Sequence, residues 1–575
     1  MNARKEYERW LSYPHLDEES KRELLSIAEE KDTIEMRFGS VMSFGTAGLR
    51  STMYAGPACM NVYTVAQATA GIAVLVKNEG GCEKGVAIAF DSRNNSKTFA
   101  EVCAEVLTCN GIRTYLFDGV RPTPELSFAV RELGCIAGIN ITASHNPKEY
   151  NGYKAYWEDG AQLSPEQSNV VAAAIAEVDV LGGAKRLSLE EAKKSGLLIM
   201  LGEDFDEIYL SAVEKTSINP GLMRELGDDL KIVYTPLHGA GYRLVPQILR
   251  RAGLKHLYTV DEQMVLDGNF PTVAKPNPEY ANVFTLGIEI AEREGSDLII
   301  ATDPDADRVG VMSRTSDGSF ATITGNQMGA LMLDYVIRAR RDAGKLPAGA
   351  YAVKSIVSTD LAAKIAMEHG VRLYDVFTGF KFIGEVIKNY EESGKEGEFI
   401  FGFEESYGYL FGSYARDKDA VGATLMIAEM TAFYRRLGMT LSDALEALYQ
   451  KYGVYREGVL DLYMEGLDGI ARRRRIMENL RACAPESFGG IALTTVTDHM
   501  ARKTRSLVDG KITDTGMGDS DVLYYTLEGG DKVVVRPSGT EPKIKFYFLA
   551  HGDNVEAVES KISMYKEDAK RMAEV

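Results

Sequence analysis

The sequence has few cysteines and no long apolar run. Its 575 residues include only six cysteines, and none of them forms a Cys-x-x-Cys pair. Neither a disulfide framework nor a cysteine zinc site is therefore indicated, and we expect reduced thiols. No apolar run approaches the roughly 20 residues of a membrane helix, and the N-terminal segment is charged where a signal peptide is apolar. We expect a cytoplasmic protein with no membrane partner.

Positive charge is also scarce. The chain has 65 Lys and Arg against 83 Asp and Glu, which gives a formal net charge of -18. This balance argues against nucleic acid as a partner, because polyanions bind surfaces rich in Lys and Arg. Screening limits surface fields to about 8 Å at physiological salt, so a small anion can still bind where a few basic side chains converge.

Apolar residues, by contrast, are abundant enough for several cores. They make up 45% of the chain, and its length suggests roughly three to five domains. Short apolar runs alternate with longer amphipathic segments, a pattern typical of α/β layers. This alternation recurs at 85–119, 231–303 and from 351 onward, and it predicts three similar α/β units. Near the C-terminus two strand-like runs flank a short loop before a final helix, which predicts a smaller α+β domain.

A serine lies in a loop that follows an apolar run of the first α/β unit. Residues 134–142 predict a buried strand, and the following Asn146-Pro147 pair predicts a turn that exposes Ser144. A serine hydroxyl is a weak nucleophile unless a base, a metal or positive charge activates it. His145 is adjacent, but adjacency alone does not establish a Ser–His pair. The segment has no G-x-S-x-G elbow, which argues against a hydrolase of that class, and a simple polar turn is the alternative interpretation.

Three aspartates at alternate positions follow another apolar strand. Asp303, Asp305 and Asp307 can converge on one hard cation, and oxygen ligands favour Mg²⁺ or Ca²⁺ over zinc. An EF-hand is excluded, because Arg308 and Arg314 stand where that loop needs Gly and Glu. A solvated acidic turn is the alternative. Closely spaced carboxylates repel one another, so the pattern indicates a metal loop, and Mg²⁺ commonly completes its shell with phosphate oxygens and water.

Two more polar segments follow predicted strands. Glu404 and Ser406 lie two residues apart in a glycine-bounded loop and suit sugar hydroxyls, although this spacing is common. Residues 536–543 combine Arg536 and Lys543 with hydroxyls and a glycine. Guanidinium groups and loop N–H groups are ordinary phosphate ligands, so this composition indicates a phosphate cradle. A plain β-hairpin turn is the alternative interpretation.

These motifs, in this order, resemble those of the α-D-phosphohexomutase superfamily, in its longer bacterial phosphoglucomutase/phosphomannomutase branch. The resemblance runs from Phe44 to the C-terminus. Residues 44–50, Phe-Gly-Thr-Ala-Gly-Leu-Arg, are similar to the opening motif of that family. The serine segment 142–147 is similar to its phosphoserine loop and 303–308 to its metal loop. The segments 404–408 and 536–543 are similar to its sugar-binding and distal phosphate loops.

The resemblance implies an α/β fold with four domains around a central cleft. Three similar mixed-sheet α/β domains would be followed by a smaller C-terminal α+β domain. The implied domains are 1–205 with the N-terminal helices and the phosphoserine loop, 206–323 with the metal loop, 324–455 with the sugar-binding loop, and 456–575 with the distal phosphate loop.

The resemblance also implies roles for individual residues. Ser144 would carry the phosphoryl group and would hold Mg²⁺ together with Asp303, Asp305 and Asp307. Arg50, Lys154 and Arg308 would line the reaction centre. Lys154 is the first candidate for the general acid or base, and His145 is the second. The implied substrate-binding residues are Lys381, Glu404, Ser406, Lys418, Arg536, Ser538, Gly539, Thr540 and Lys543.

The activity implied is an isomerase reaction that interconverts glucose 1-phosphate and glucose 6-phosphate through a phosphoserine. Glucose 1,6-bisphosphate would be the intermediate and activator, and the partner would be a sugar phosphate bound by a monomer or small homo-oligomer. Phosphomannomutase, phosphopentomutase and phosphoglucosamine mutase activities use the same mechanism and stay open. A metal-dependent phosphatase and a non-catalytic phosphosugar sensor are alternatives from other classes.

Two departures from the family pattern bear on these expectations. The opening motif usually continues with Gly after its arginine, whereas Ser51 follows Arg50 here. The sugar-binding segment carries Tyr407 and Tyr409 and lacks the histidine of many bacterial phosphomannomutase/phosphoglucomutase enzymes. The first departure affects the local loop and spares the arginine. The second favours the phosphoglucomutase side.

Overall fold

The computed structural model describes residues 2–46, 48–464, 466–538 and 543–573. The chain divides into two compact units. The first comprises Met1–Ile323, Gly384–Lys395 and Tyr407–Thr440, and the second comprises Thr324–Ile383, Glu396–Ser406 and Leu441–Val575.

The first unit begins with three short helices that share an aromatic core. They are α1 (Ala3–Leu11), α2 (Glu18–Ser26) and α3 (Lys31–Phe38). Asn2 and Asp17 cap α1 and α2 by accepting hydrogen bonds from backbone N–H groups of the first turn. Trp10 and Phe38 are fully buried, and their rings meet edge to face. Because each helix is short, this shared core stabilises the helices more than their own propensity does.

The first sheet carries six strands in the order β1-β5-β4-β2-β3-β6. Its strands β2, β3, β4 and β6 run parallel, while β5 and β1 are antiparallel additions. Every residue of β2 and β4 is buried, as expected for strands covered by helices on both faces. The elements of this region are β1 (Leu49–Thr52), α4 (Val62–Asn78), β2 (Val86–Phe90), α5 (Ser96–Cys109), β3 (Thr114–Phe117), α6 (Thr123–Glu132), β4 (Ala137–Ile141), β5 (Tyr150–Trp157), α7 (Pro165–Ala176), α8 (Leu189–Lys194) and β6 (Leu198–Leu201).

The second sheet has five strands in the order β11-β10-β9-β7-β8. It is also mixed, with β7, β8 and β9 parallel and β10 antiparallel to both of its neighbours. The elements are α9 (Glu203–Glu214), α10 (Leu222–Glu225), β7 (Lys231–Thr235), α11 (Gly241–Arg251), β8 (His256–Thr259), α12 (Thr285–Glu294), β9 (Leu298–Thr302), β10 (Val309–Arg314) and β11 (Phe320–Ile323).

The third α/β region contains three parallel strands in the order β13-β12-β14. These strands belong to the second unit, whereas the later part of α15, together with β15 and α16, belongs to the first. The elements are α13 (Gly325–Asp342), β12 (Tyr351–Ser355), α14 (Leu361–His369), β13 (Arg372–Val376), α15 (Phe380–Ser393), β14 (Phe399–Glu404), β15 (Gly408–Leu410), α16 (Ala420–Arg436) and α17 (Leu441–Tyr452).

The C-terminal region is dominated by an antiparallel sheet in the order β16-β23-β22-β21-β18-β19-β20, with β17 paired to β18. The helix α19 packs on β16 and β23, so the sheet has an apolar face covered by a helix. The elements are β16 (Val454–Tyr463), α18 (Gly466–Ala482), β17 (Ser487–Phe488), β18 (Ile491–Asp498), β19 (Lys503–Ser506), β20 (Ile512–Asp514), β21 (Leu523–Leu527), β22 (Lys532–Pro537), β23 (Lys543–Gly552) and α19 (Val555–Ala573).

This architecture confirms the predicted fold class of three mixed-sheet α/β domains followed by a sheet-rich C-terminal domain. The six cysteines are free thiols. Among the helices described, none is long and apolar enough to cross a bilayer.

Candidate active site

Ser144 lies in the loop that follows β4, at the carboxyl edge of the first sheet. Its backbone adopts a positive φ of 52°, which is uncommon for a residue other than glycine. The side chain is only 3% exposed, so the prediction that the turn exposes Ser144 is wrong. Its Oγ is buried because it donates a hydrogen bond to Asp303 Oδ2 at 2.7 Å. His145 Nδ1 lies 3.2 Å from the same Oγ. The loop therefore turns the serine hydroxyl toward the first aspartate of the predicted metal loop.

The metal loop connects β9 to β10. Asp303 Oδ1 accepts hydrogen bonds from the backbone N–H groups of Asp307 and Arg308 at 3.2 and 3.0 Å. Ala306 takes a positive φ of 49°, which lets the chain turn tightly between the second and third aspartates. The loop is therefore closed on itself by its first carboxylate, and the three carboxyl groups lie on the same side.

Three cationic groups contact these carboxylates, and a fourth contacts the serine loop. Lys154 Nζ lies 2.7 Å from Asp305 Oδ2 and 3.2 Å from Asp307 Oδ2. Lys418 Nζ lies 3.2 Å from Asp307 Oδ2. Arg308 Nε is 3.8 Å from Asp307 Oδ1, while its Nη1 bonds Glu279 Oε1 at 2.6 Å. The fourth group, Arg50, donates to Asn146 Oδ1 of the serine loop at 3.0 Å.

The three carboxylates fit a hard divalent cation. Asp303, Asp305 and Asp307 each offer a ligand oxygen, and these oxygens all lie within 4.8 Å of one another. All three side chains are buried, and Asp305 Oδ1 and Asp307 Oδ1 have no hydrogen-bond partner among the described residues. Buried carboxylate oxygens without partners are costly, and an oxygen-preferring ion satisfies both at once.

The electrostatics of the cluster are uneven. Burial, and then the negative charges of Asp305 and Asp307, raise the pKa of Asp303 well above its usual range. Burial also disfavours the ionised form of Asp305, but the Lys154 ammonium and the hydrogen bonds that Asp305 accepts outweigh it and lower the pKa of Asp305. The carboxylate that faces Ser144 is therefore the one that most needs added positive charge.

The two candidates for the general acid or base differ in charge. Burial opposes the charge on Lys154, but the attraction of Asp305 and Asp307 is larger in sum and raises the pKa of Lys154. Burial, followed by the charges of Arg308 and Arg50, lowers the pKa of His145 well below its usual range. At neutral pH Lys154 therefore carries a positive charge, and His145 is a neutral imidazole.

The first sheet explains how Arg50 and Lys154 reach the serine. The strand β5 lies between β4 and β1, so Lys154 pairs with Asn140 of β4, and Arg50 of β1 pairs with Gly152. A Cβ on Gly152 would lie 2.5 Å from the carbonyl oxygen of Thr142, so only glycine permits this close approach beside the serine loop. The register of these strands therefore sets both basic side chains next to the serine loop.

The route of Lys418 is set by the segment between β15 and α16. Gly408, in the predicted sugar-binding loop, leaves space for the Lys418 side chain, because a Cβ there would lie 2.1 Å from Lys418 Cδ. Lys418 Nζ also bonds Asp417 Oδ1 at 2.9 Å. Lys418 thus lies in the carboxylate cluster, where the sequence placed it only among the substrate-binding residues.

The second unit brings together a different set of predicted residues. Glu404, at the end of β14, accepts a hydrogen bond from Gly379 N at 2.6 Å through its Oε1. Arg536, in β22, donates through Nη1 to Thr378 Oγ1 of the same Thr-Gly segment. The sugar-binding segment and the phosphate segment are therefore linked through residues 378 and 379.

The remaining predicted residues of this unit lie around that link or outside it. Lys381 lies in the first turn of α15, and its Nζ lies 5.0 Å from the centre of the Phe382 ring. Lys543 is 5% exposed and bonds Asp461 Oδ2 at 3.0 Å and Tyr463 OH at 3.2 Å. Ser406 and Ser538 are half-buried, and Ser538 N donates to the Lys543 carbonyl. Gly539 and Thr540 lie outside the described residues.

Several residues of the first site were not anticipated from the sequence. Thr123, at the start of α6, donates through Oγ1 to Asp305 Oδ2 at 2.9 Å and through its N–H to the Asp305 carbonyl. Tyr156 donates to Asp417 Oδ2 at 2.8 Å. The Pro-Thr-Pro run that starts α6 was the one available signal, since prolines commonly set helix starts. Tyr156 carried no signal of its own.

The fold and this geometry define a class of protein: a multidomain α/β protein that sets a buried serine hydroxyl against three carboxylates that could hold a metal ion. Family models of the phosphoglucomutase/phosphomannomutase alpha/beta/alpha domains I, II and III match residues 41–181, 207–318 and 324–452. A phosphoglucomutase of Staphylococcus haemolyticus is 36% identical over 92% of this chain and 94% of its own length. A phosphoglucomutase of Staphylococcus aureus is 34% identical over 93% of this chain and 94% of its own.

The chain belongs to the phosphoglucomutase/phosphomannomutase family of the α-D-phosphohexomutases, and it is a phosphohexomutase. Solved structures agree with this fold. A phosphomannomutase structure from Thermus thermophilus gives a TM-score of 0.68 at 21% identity and covers 93% of this chain and all of its own. The parafusin phosphoglucomutase of Paramecium also gives 0.68, at 17% identity, over 93% of this chain and 96% of its own.

Proposed function

We propose that this mutase interconverts glucose 1-phosphate and glucose 6-phosphate, with Ser144 as the residue that carries the phosphoryl group. The observation that supports the proposal best is the buried hydrogen bond of 2.7 Å from Ser144 Oγ to Asp303. The curated relatives are named phosphoglucomutases, and Tyr407 and Tyr409 stand in the sugar-binding segment in place of histidine.

The proposed reaction has two transfers that mirror each other. In the first, the free hydroxyl oxygen of the sugar monophosphate bonds to the phosphorus on Ser144, and the bond from phosphorus to Oγ breaks. In the second, Oγ bonds to the other phosphorus of glucose 1,6-bisphosphate, and that sugar–phosphate bond breaks. Each attacking hydroxyl loses a proton and each leaving oxygen gains one. Charged Lys154 suits the donor, and neutral His145 suits the acceptor.

Transfer of a phosphoryl group depends mainly on positioning and on neutralising charge. We assign the divalent cation as Mg²⁺, held by Asp303, Asp305 and Asp307, where it would neutralise charge on the phosphoryl oxygens. The chain's own cations add to this, because Arg50 and Arg308 lie beside the serine and the carboxylates. These groups hold the reacting phosphate in place while the bonds change.

A sugar monophosphate also needs a site for the phosphate that is not being transferred. We assign this site to Arg536, since a guanidinium group can give two parallel hydrogen bonds to a phosphate. Glu404 and Ser406 would bind sugar hydroxyls. The other residues assigned to the substrate are Lys381, Lys418, Ser538, Gly539, Thr540 and Lys543.

The test is a coupled assay that follows glucose 6-phosphate formed from glucose 1-phosphate. It is run with Mg²⁺ and a trace of glucose 1,6-bisphosphate, and then with EDTA. Turnover that EDTA abolishes supports the proposal. Release of inorganic phosphate without glucose 6-phosphate would instead identify a phosphatase.

The same assay with mannose 1-phosphate and ribose 1-phosphate ranks the substrates. A higher kcat/KM for either one would overturn the glucose assignment and leave the mutase chemistry in place. No turnover with any of the sugars would favour the non-catalytic sensor, for which binding of the sugar phosphates is then measured by calorimetry.

A further inference from the structure

A buried arginine that is not among the assigned catalytic residues donates hydrogen bonds to the backbone of the serine loop. Arg93 follows β2, the strand parallel to β4. Its Nη1 donates to the carbonyl oxygens of Pro147 and Tyr150 at 2.9 and 3.1 Å, and its Nη2 donates to those of Ser144 and Asn146. One guanidinium group therefore gathers four carbonyl groups from a stretch of seven residues.

Arg93 is itself held from two sides. Asp91 lies 3.4 Å from its Nε, and neither side chain has exposed area. Asp91 is fixed in turn, because its Oδ1 accepts hydrogen bonds from Arg93 N at 2.9 Å and from Ser96 Oγ at 2.7 Å. On the other side, the guanidinium group lies 5.1 Å from the centre of the Phe270 ring. The guanidinium group is thus set in position before it meets the loop.

The loop needs such support because its conformation is unfavourable. Ser144 has a positive φ, which is unfavourable for a non-glycine residue and persists only where its surroundings hold it there. The converging carbonyl oxygens also repel one another unless a donor lies between them. A planar guanidinium has five N–H donors in a fixed fork, whereas a lysine ammonium is a point charge.

We propose that Arg93 is a positioning residue for phosphoryl transfer, which holds the serine loop in the turn that points Ser144 Oγ at Asp303. Arg93 acts through the backbone of the loop. Its hydrogen-bond partners there are carbonyl oxygens, and they include neither the Ser144 hydroxyl nor the three aspartates of the metal loop. This inference rests on the proposed role of Ser144. A purely structural role in the core is the competing explanation, and it predicts a loss of stability without a selective loss of the chemical step.

The experiment compares Arg93→Lys with Arg37→Lys. Arg37 is a matched control, because it is also a buried arginine, pairs with a carboxylate, Glu23, and stacks on an aromatic ring, that of Tyr54. Single-turnover transfer from the phosphorylated enzyme to glucose 1-phosphate is followed by quenched flow. We expect Arg93→Lys to slow this transfer by about 100-fold, the scale of a misplaced reacting group, with KM nearly unchanged. Arg37→Lys should leave the rate of transfer unchanged.

A second measurement does not depend on activity. Hydrogen exchange of the backbone amides of residues 144–146 and 148–150, on either side of Pro147, is compared between the two variants and the wild type. Faster exchange in this loop for Arg93→Lys, with the rest of the first sheet unchanged, supports the proposal. Should wild-type protein show no mutase activity, the proposed function fails while this measurement still tests the support of the loop.

Two outcomes would overturn the inference. One is an equal effect of Arg93→Lys and Arg37→Lys on transfer and on exchange. The other is tested with Asp91→Asn, in case Arg93→Lys does not fold. This variant keeps the arginine and weakens its orientation, so we expect a smaller loss of kcat with the same unchanged KM. Wild-type kcat in a folded Asp91→Asn protein would contradict a positioning role.

Discussion

The candidate functional residues of the two units differ in their burial and in how their charges are paired. In the first unit Ser144, the three aspartates, Lys154 and Lys418 are all buried, and their charges are paired with one another. In the second unit Lys381, Ser406, Arg536 and Ser538 are half-buried, while Glu404 and Lys543 are buried, and the described contacts among the candidate segments are single hydrogen bonds.

This difference matches the demands of the two tasks. Charge stabilisation in the reaction needs groups that are already oriented in a water-poor site, because reorientation during the reaction costs free energy. Recognition of a substrate needs groups that can exchange a protein partner for a ligand. Under the proposed function, the first unit would therefore act as the chemical centre, and the second would act as a binding surface. The predictions below test this contrast from the largest expected effect to the smallest.

The largest effect is expected for Ser144→Ala, in the first unit. We expect kcat to fall by about 10⁵- to 10⁶-fold, because an essential nucleophile is removed. The melting temperature should change little, since only one hydroxyl is lost. The coupled assay and a thermal scan measure the two quantities. Ser168→Ala, at another buried serine of the first unit, is the control and should keep wild-type activity. Substantial turnover in Ser144→Ala would reject the assigned nucleophile.

The next effect compares the two buried lysines of the chemical centre. Lys154→Met removes the proposed proton donor that lies between Asp305 and Asp307, so kcat should fall by about 10²- to 10⁴-fold. Lys418→Met loses a contact to Asp307 and one to Asp417, and we expect a smaller loss of kcat. Steady-state kinetics at saturating Mg²⁺ separate the two. A larger loss for Lys418→Met would reverse the assignment of the donor.

A third test moves to the second unit. Arg536→Ala should raise KM by about 10- to 100-fold, the value of a lost hydrogen bond to a charged group, and should change kcat less. Arg505→Ala, at an exposed arginine of the same sheet, is the control. An unchanged KM in Arg536→Ala would contradict the assignment of phosphate binding to Arg536.

The smallest effect concerns a buried ionic cluster around Asp531, which directly precedes β22. Asp531 is 1% exposed and bonds His551, Lys561 and Tyr565 at 2.8, 3.0 and 2.7 Å. Burial opposes its ionisation, but these hydrogen bonds outweigh it and lower the pKa of Asp531 to about 2. Asp531→Asn should therefore reduce stability at pH 7 by about 2 kcal/mol and leave kcat unchanged.

The pH dependence gives that prediction its sign. A carboxyl whose pKa is lower in the folded state stabilises the protein above its unfolded pKa, near 4. The stabilisation is lost as the pH falls from about 4 toward 2. The difference in melting temperature between the wild type and Asp531→Asn should narrow over that interval. A difference that is constant with pH would mean that the charge of Asp531 does not stabilise the fold.

The sequence alone determined the short-range features of this protein. The alternation of apolar runs set the three α/β layers, because strand and helix periodicities are local. The aspartates at 303, 305 and 307 were sufficient to predict a metal loop, since ligands from one short loop converge without help from distant residues. The Asn-Pro turn after a strand was sufficient to place Ser144 in a loop.

The tertiary structure decided which distant residues complete the site. Lys154 meets Asp305 across 151 positions of sequence, and Arg93 reaches the serine loop from another strand of the same sheet. Nothing in the local pattern distinguishes Arg93 from the other arginines of the chain, and Lys154 was predicted only through the resemblance to the family. The carboxyl edges of parallel strands bring separate loops together, and the close approach of β5 beside Gly152 fixes which side chains face them. Strand order and register, which are long-range properties, therefore decided the composition of the chemical centre.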